Sequence, residues 1–102
     1  MGVLHLVNRS PGESQSLALC LERVGAGDAI LLLESGVYAV LKNAVFAPKL
    51  AEAMRCVSIH VLTPDLAARG IAREEVLDGV VWVDYEGFVE LSVTHKPVIS
   101  WN

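Results

Sequence analysis

Apolar residues along this chain form short continuous runs separated by helix-spaced stripes, which is the pattern of strands that alternate with helices. Four runs rich in branched side chains predict buried strands at residues 3–7, 28–34, 56–62 and 79–84. These runs are continuous rather than alternating, as expected for a parallel sheet with helices on both faces. A last run, residues 98–101, is predicted to be an edge strand or a docked tail.

The first connecting helix is predicted to run to about Val24. Its buried stripe falls at i, i+3, i+4 and i+7 and consists of Leu17, Cys20, Leu21 and Val24. Ser10 and Glu13 have the spacing of a capping box, and Ser14 is the rival start. Gly25 and Gly27 supply the stop. This stripe places the Cys20 side chain on or beside the core.

The remaining helices are predicted from caps and turn residues. Ser35 is expected to cap a short helix that ends near Leu41, and a further helix is expected over residues 48–54. Thr63 is expected to cap a helix that ends at Gly70. Asp84 is expected to cap the last helix, whose sheet-facing side chains would be Tyr85, Phe88, Val89 and Leu91.

The order of these elements predicts an α/β fold. Parallel neighbours need right-handed crossovers, so the alternation implies a doubly wound, mostly parallel five-stranded sheet flanked by helices. The chain has 102 residues and no linker or low-complexity tract breaks it, so residues 1–102 are expected to form one domain.

Charge and apolar content narrow the classes of partner. The net charge is −4, and eight scattered Lys and Arg residues form no basic patch, which argues against direct binding of nucleic acid. The longest apolar run, residues 29–33, is far too short to span a membrane, and the first residues lack a signal-peptide pattern, so we expect a cytoplasmic protein. Hydrophobic residues make up 53% of the chain. A small domain cannot hide that excess, so part of it is expected in a subunit interface.

No cofactor or metal site is predicted. The glycines at 25 and 27 precede a strand, whereas a dinucleotide fingerprint opens a helix after one. No phosphate loop is present, and His5, His60 and His95 are too far apart in sequence for a local metal pair. His5 and His60 lie within strand runs, where an imidazole is more often a hydrogen-bonded core residue.

The two cysteines are the remaining candidates for chemistry. In an open α/β sheet a reactive group usually lies past the carboxyl end of a strand, where helix N-termini lower a thiol pKa. Neither cysteine is predicted there. Cys56 opens the third strand at its amino end and is expected to be a small buried hydrophobe. Cys20 lies two turns into the first helix, and core packing is the favoured interpretation.

Several longer stretches resemble the DsrH/TusB family of sulfur-relay proteins. They are LHLVNRSP at residues 4–11, GDAILLLESGVYAVL at 27–41, VLTPDLAARGI at 61–71, VWVDYEGFVELSVTH at 81–95 and the terminal SW. The resemblance covers nearly the whole chain. It implies a DsrE/DsrF-like fold with the flavodoxin-like strand order 2-1-3-4-5.

The resemblance also implies a partnership. A member of this family is expected to be the smallest subunit of an α2β2γ2 heterohexamer with DsrE-like and DsrF-like, or TusD-like and TusC-like, homologous subunits. That complex passes persulfide sulfur to a small carrier of the DsrC/TusE type, and its main catalytic cysteine belongs to the DsrE/TusD-like subunit. The present chain would then be an auxiliary or non-catalytic subunit of a sulfurtransferase.

Three hypotheses follow for function. The first is a DsrEFH-type complex in cytoplasmic dissimilatory sulfur oxidation, favoured because DsrH-like members can carry a cysteine in the first helix. The second is a TusBCD-type relay for 2-thiolation of the transfer-RNA wobble uridine. The third is a purely structural scaffold with inert thiols. Under the first, Cys20 gains a role as an auxiliary sulfur-binding residue, although packing stays slightly ahead.

Overall fold

The computed structural model describes residues 2–102. Within these residues, five strands, four α-helices and two short 3-10 helices follow one another. In chain order they are β1 (Leu4–Val7), α1 (Ser16–Arg23), β2 (Ala29–Leu32), the first 3-10 helix (Glu34–Val40), α2 (Ala47–Ala53), β3 (Ser58–Leu62), α3 (Thr63–Ala68), the second 3-10 helix (Arg73–Glu75), β4 (Val81–Val83), α4 (Tyr85–Thr94) and β5 (Val98–Trp101).

All five strands pair in parallel in a single sheet. The predicted α/β class, with a five-stranded parallel sheet flanked by helices, is therefore confirmed. The strand order is 4-3-2-1-5, so the expected order 2-1-3-4-5 is wrong. Strands β1 to β4 succeed one another in one direction across the sheet, and the chain reverses only after β4.

The reversal depends on how β5 attaches to β1. The backbone N–H of Leu4 donates to the carbonyl of Pro97 at 3.1 Å, and the register continues to the pair Val7 and Trp101. Because β5 occupies that edge of β1, β3 pairs with β2 instead. The last run of the sequence is thus an edge strand rather than a docked tail.

Two apolar cores lie on opposite faces of the sheet. The larger one packs β-strand side chains against α1, the first 3-10 helix, α2 and α3. The smaller one packs Leu4, Leu31 and their neighbours against Phe88 and Leu91 of α4. Fully buried strands such as Ala29–Leu32 explain why the second apolar run is continuous.

Two predicted helix starts move. Ser10 forms a local turn in which its backbone N–H and its hydroxyl both donate to Oε1 of Glu13, at 3.2 and 3.1 Å, and α1 begins only at Ser16. Ser35 does not cap the next helix, because the 3-10 helix already begins at Glu34 and has no side-chain cap. Hydroxyl and carboxylate side chains satisfy turns as readily as helix ends, which is why the spacing misled.

The caps predicted for the later helices are confirmed in part. Asp84 caps α4 as predicted, since its Oδ1 accepts from the backbone N–H of Gly87 at 2.8 Å. Thr63 is the first residue of α3 and does not cap it. Phe88 and Leu91 face the sheet, but Tyr85 and Val89 are each 60% exposed and were wrongly expected there.

Candidate functional site

Cys20, the residue expected to bind sulfur, lies on the inner face of α1 within the larger core. Its side chain has no exposed surface, as the helical spacing of its neighbours indicated. Burial, and to a smaller extent the negative charge of Asp28, raises the pKa of the Cys20 thiol to about 12. The thiol is therefore protonated at neutral pH, whereas the thiolate is the nucleophilic form. This environment favours packing, and sulfur binding at Cys20 stays a prediction.

Cys56 is exposed, so the expectation that it is a buried hydrophobe is wrong. Strand β3 begins at Ser58, two residues later than predicted, and Val57 takes the buried position in its place. Cys56 lies in the turn before β3, at the amino end of the sheet. It borders a groove of about 550 Å³ between α1 and α2, whose walls include Leu21, Phe46 and Lys49.

A hydrogen-bonded chain joins three residues that are distant in sequence. Trp101 Nε1 donates to His5 Nδ1 at 3.0 Å, and His5 Nε2 lies 2.9 Å from Asp28 Oδ2. The backbone N–H groups of Val3 and Gly25 also donate to the Asp28 carboxylate. The network ties β5, β1 and the turn before β2 together.

The indole of Trp101 fixes the protonation of His5. An indole N–H can only donate, so His5 Nδ1 must be unprotonated and the imidazole proton sits on Nε2, facing Asp28. Desolvation raises the pKa of Asp28, but the donors from Val3, Gly25 and His5 outweigh it and lower the pKa below its usual value. With both ring nitrogens engaged and the ring 3% exposed, His5 acts as a structural core residue.

The carboxyl ends of β1, β2 and β3 carry polar and acidic groups rather than a thiol. Asn8 Nδ2 donates to Glu34 Oε1 at 3.3 Å, and the Glu34 backbone N–H donates to Asp65 Oδ2 at 2.6 Å. Glu34 adopts a φ of +50°, which is uncommon for a residue with a side chain. Two carboxylates here would raise a thiol pKa and repel an anionic persulfide.

His60 is the second buried histidine, on the face of the sheet that α4 covers. Its Nε2 lies 3.0 Å from the Ser58 hydroxyl, and burial lowers the pKa of His60, with His95 lowering it further.

Within residues 2–102 no three His, Cys, Asp or Glu side chains converge as metal ligands. No helix in this part of the chain is long and apolar enough to cross a bilayer.

The sequence indicated the burial of Cys20, the capping role of Asp84 and a hydrogen-bonded core position for His5, but not the hydrogen-bond partners of His5. Its partners are separated by 96 and 23 residues, so no local spacing reports them. The buried strand position of His5 was the one available signal.

Comparison with solved structures shows the same fold in proteins of low sequence identity. The chain superposes on the ychN protein from E. coli with a TM-score of 0.80, at 17% identity over 98% of this chain and 99% of that one. A protein of unknown function, MTH1491 from Methanobacterium thermoautotrophicum, gives a TM-score of 0.76 at 14% identity, with 96% of each chain covered.

Comparison of sequences shows the family. A family model described as "DsrH like protein" matches residues 9–98. Protein TusB from Buchnera aphidicola subsp. Baizongia pistaciae is 37% identical over 97% of this chain and all of that protein. Protein TusB from Escherichia coli K12 is 32% identical with the same coverage. The chain therefore belongs to the DsrH/TusB family.

Proposed function

We propose that this chain is a subunit of a heteromeric sulfur-relay complex in which it supports the reactive persulfide without carrying it. Membership in the DsrH/TusB family supports the sulfur-relay role. The proposed partners are the DsrE-like and DsrF-like, or TusD-like and TusC-like, homologous subunits in an α2β2γ2 heterohexamer. The proposed acceptor is a DsrC/TusE-like carrier protein.

One observation carries the supporting role: neither of the two thiols is placed for transfer. Persulfide transfer needs a thiolate that attacks the terminal sulfur of a donor persulfide, so that a new persulfide forms and the donor leaves as a thiolate. Cys20 is buried and protonated, and Cys56 lies at the amino end of the sheet. The carboxyl edge, where such chemistry usually occurs in open α/β sheets, holds Asn8, Glu34 and Asp65.

For the pathway, we propose 2-thiolation of the transfer-RNA wobble uridine as the first candidate. Full-length relatives at 32–37% identity bear the name TusB. These names favour the transfer-RNA context over sulfur oxidation, which the sequence alone had favoured. Cytoplasmic sulfur oxidation through a DsrEFH-type complex is the second candidate. It draws on the DsrH description of the family and on the presence of Cys20 in the first helix.

Reconstitution in a bacterium that lacks its own TusB, TusC and TusD tests both the supporting role and the transfer-RNA context. The chain is co-expressed with its two homologous partners, and 2-thiouridine in transfer RNA is measured by mass spectrometry. We expect the trio to restore 2-thiouridine, the trio without this chain to fail, and the Cys20→Ser/Cys56→Ser double variant to act like the wild type.

Two outcomes would change the account. If the complex assembles and loads a DsrC-like carrier but restores no 2-thiouridine, the sulfur-oxidation context replaces the transfer-RNA context. If the double cysteine variant assembles but loses transfer, the chain carries sulfur and the supporting role is wrong.

A further inference from the structure

The buried ring of His60 has one nitrogen without a hydrogen-bond partner. His60 is 9% exposed, and its Nε2 lies 3.0 Å from the Ser58 hydroxyl. Its Nδ1 is buried, and no group in residues 2–102 lies within hydrogen-bond distance of it. Buried polar groups are paired in most folded proteins, so this nitrogen is an exception with a consequence for protonation.

The missing partner determines which nitrogen of the neutral ring carries the proton. The Ser58 hydroxyl both donates and accepts, so it can pair with Nε2 in either tautomer. A buried N–H without an acceptor is rarer in folded proteins than an unsatisfied acceptor, so we assign the proton to Nε2 and a free lone pair to Nδ1. A second proton would enter at Nδ1, where it creates a buried charge whose new N–H has no acceptor.

His60 lies on the side of the sheet that α4 covers. It pairs by register with Leu31 of β2 and Val81 of β4, so the three side chains share that side. Leu31 belongs to the smaller core, which Phe88 and Leu91 of α4 complete. Within residues 2–102, α4 is the one helix that contributes to that core. A charge on His60 therefore acts on the contact between the sheet and α4.

No acidic group in the described part of the chain stabilises a charge on His60. Strands β2, β3 and β4 hold no other titratable side chain, and Tyr85, Glu86 and Glu90 of α4 are exposed. The titratable neighbour that acts on His60 is His95, which follows α4, and a charge on His95 opposes one on His60. Burial is the larger of the two effects, and both lower the pKa of His60.

α4 is only weakly stable without its contact to the sheet. It has ten residues, none of them fully buried, and isolated helices of this length are marginal in water. Gly87 and the branched Val89 and Val93 lower its helix propensity further. Strands β1, β2 and β3, in contrast, each pair with a neighbour on both edges. When His60 becomes charged, movement of α4 therefore costs less than disruption of the sheet.

We propose that His60 is an acid-sensitive latch for α4. When the ring takes a second proton at Nδ1, α4 separates from the sheet, water reaches the imidazolium, and the strands stay paired. The step is a proton transfer from solvent to one nitrogen, and no other bond changes. The latch is a property of the fold and is independent of the sulfur-relay function.

The direction of the effect follows from the proton affinity of the closed and open forms. The pKa of His60 is lowered in the closed form, whereas an imidazole in water has a pKa of about 6.5. The open form therefore binds the proton more tightly, and acid favours opening. The contribution of the latch to stability is complete above about pH 6.5 and is lost as the pH falls through the folded value.

Amide hydrogen exchange at pH 7.5 and pH 5.5 tests the latch in the wild-type chain. Protection factors, corrected for the pH dependence of the chemical exchange rate, report opening of each element separately. We expect protection in α4 to fall by about fivefold or more at the lower pH. Protection in β1, β2 and β3 should stay within about twofold.

Two histidine variants show which ring is responsible. His60→Gln cannot take the second proton, so its α4 protection should agree within about twofold between the two pH values. His95→Gln is the matched control. Its α4 protection should still fall at the lower pH, because burial rather than His95 is the larger effect on His60.

Three results would overturn the latch: equal α4 protection at both pH values in the wild type, a wild-type response in His60→Gln, or a loss of protection in all elements together. If His60→Gln does not fold, NMR of the wild-type chain decides. A His60 titration midpoint below that of the urea-unfolded chain, with loss of α4 amide signals over the same pH range, supports the latch. The absence of either result contradicts it.

Discussion

Cys20 and Cys56 occupy opposite environments in the same small domain. Cys20 contributes a small apolar volume to the core, and the burial that raises the pKa of its thiol to about 12 also removes it from solvent. Cys56 is exposed in a turn. At the scale of single residues, Cys20 should therefore contribute to stability and not to reactivity. Cys56 should be accessible to reagents and contribute little to stability.

The first prediction concerns that separation. Cys20→Ser should lower the free energy of unfolding by roughly 1 to 3 kcal/mol, because a hydroxyl replaces a buried hydrophobe. Cys56→Ser, the matched control, should change it by less than about 0.5 kcal/mol. Urea unfolding measures both. Equal stability of Cys20→Ser and the wild type would refute the packing role.

The second prediction concerns the indole that holds His5. Trp101→Phe removes the donor to Nδ1 and should cost roughly 1 to 3 kcal/mol in urea unfolding, because a buried ring nitrogen loses its partner. Trp82→Phe is the control, since Trp82 is partly buried like Trp101 but lies against the Arg73 guanidinium, at 4.6 Å, instead of donating to His5. A loss no larger at Trp101 than at Trp82 would show that the network adds nothing.

The third prediction concerns how stability depends on pH. Because the pKa of Asp28 is lowered in the folded chain, its contribution is present above the unfolded value of about 3.9 and is lost as the pH falls through the folded value. Asp28→Asn should be less stable than the wild type near pH 7, and this difference in stability should stay constant down to about pH 5 and shrink as the pH falls further. Urea midpoints across that range report it. A difference in stability that stays constant down to about pH 3 would contradict the assignment.

Local spacing predicted the burial of Cys20 correctly, but it misplaced Cys56 and could not report the contact between His5 and Trp101. Burial of Cys20 followed from the i, i+3, i+4 stripe, which needs no knowledge of the rest of the fold. Cys56 was misplaced because the start of a strand is uncertain by a few residues and burial changes along a chain within that interval. The His5 and Trp101 pair depends on which strands meet, which no short stretch encodes.

At the scale of elements, α4 shows how two apolar stripes on one helix leave its rotation undecided. Tyr85, Phe88, Val89 and Leu91 all fit a buried face by spacing, but only Phe88 and Leu91 pack on the sheet. Gly87 lies close to Val83, and a Cβ at Gly87 would come within 2.9 Å of the Val83 Cβ. The N-terminus of the helix was predictable, since the Asp84 cap is local.

The fourth prediction tests that cap. Asp84→Ala should destabilise the chain by about 1 kcal/mol and increase amide exchange in the first turn of α4, because the Gly87 N–H loses its acceptor. Asp84→Asn keeps a side-chain oxygen at the same place and should retain most of the stability. Hydrogen exchange by mass spectrometry reads the helix directly. Equal exchange in all three chains would mean that packing alone fixes the start of α4.

At the scale of the whole molecule, the two sides of the sheet are covered unequally, and apolar side chains stay exposed on the less covered side. The chain crosses from β4 to β5 with one helix, so one side of the sheet has a single covering element and the other has several. The sequence predicted that part of the apolar content would lie in an interface, and Tyr85, Val89 and Val93 of α4 are apolar side chains that stay exposed. The strand order could not be predicted, because it depends on the pairing of the two chain ends.

We propose that this chain supports a sulfur-relay complex without carrying sulfur. The most direct measurement is the intact mass of every subunit in the co-purified complex after exposure to a persulfide donor, with Cys20→Ser alongside. We expect one added sulfur atom on the DsrE/TusD-like partner and none on this chain. An added sulfur on this chain that disappears in Cys20→Ser would contradict it and make Cys20 a sulfur-binding thiol.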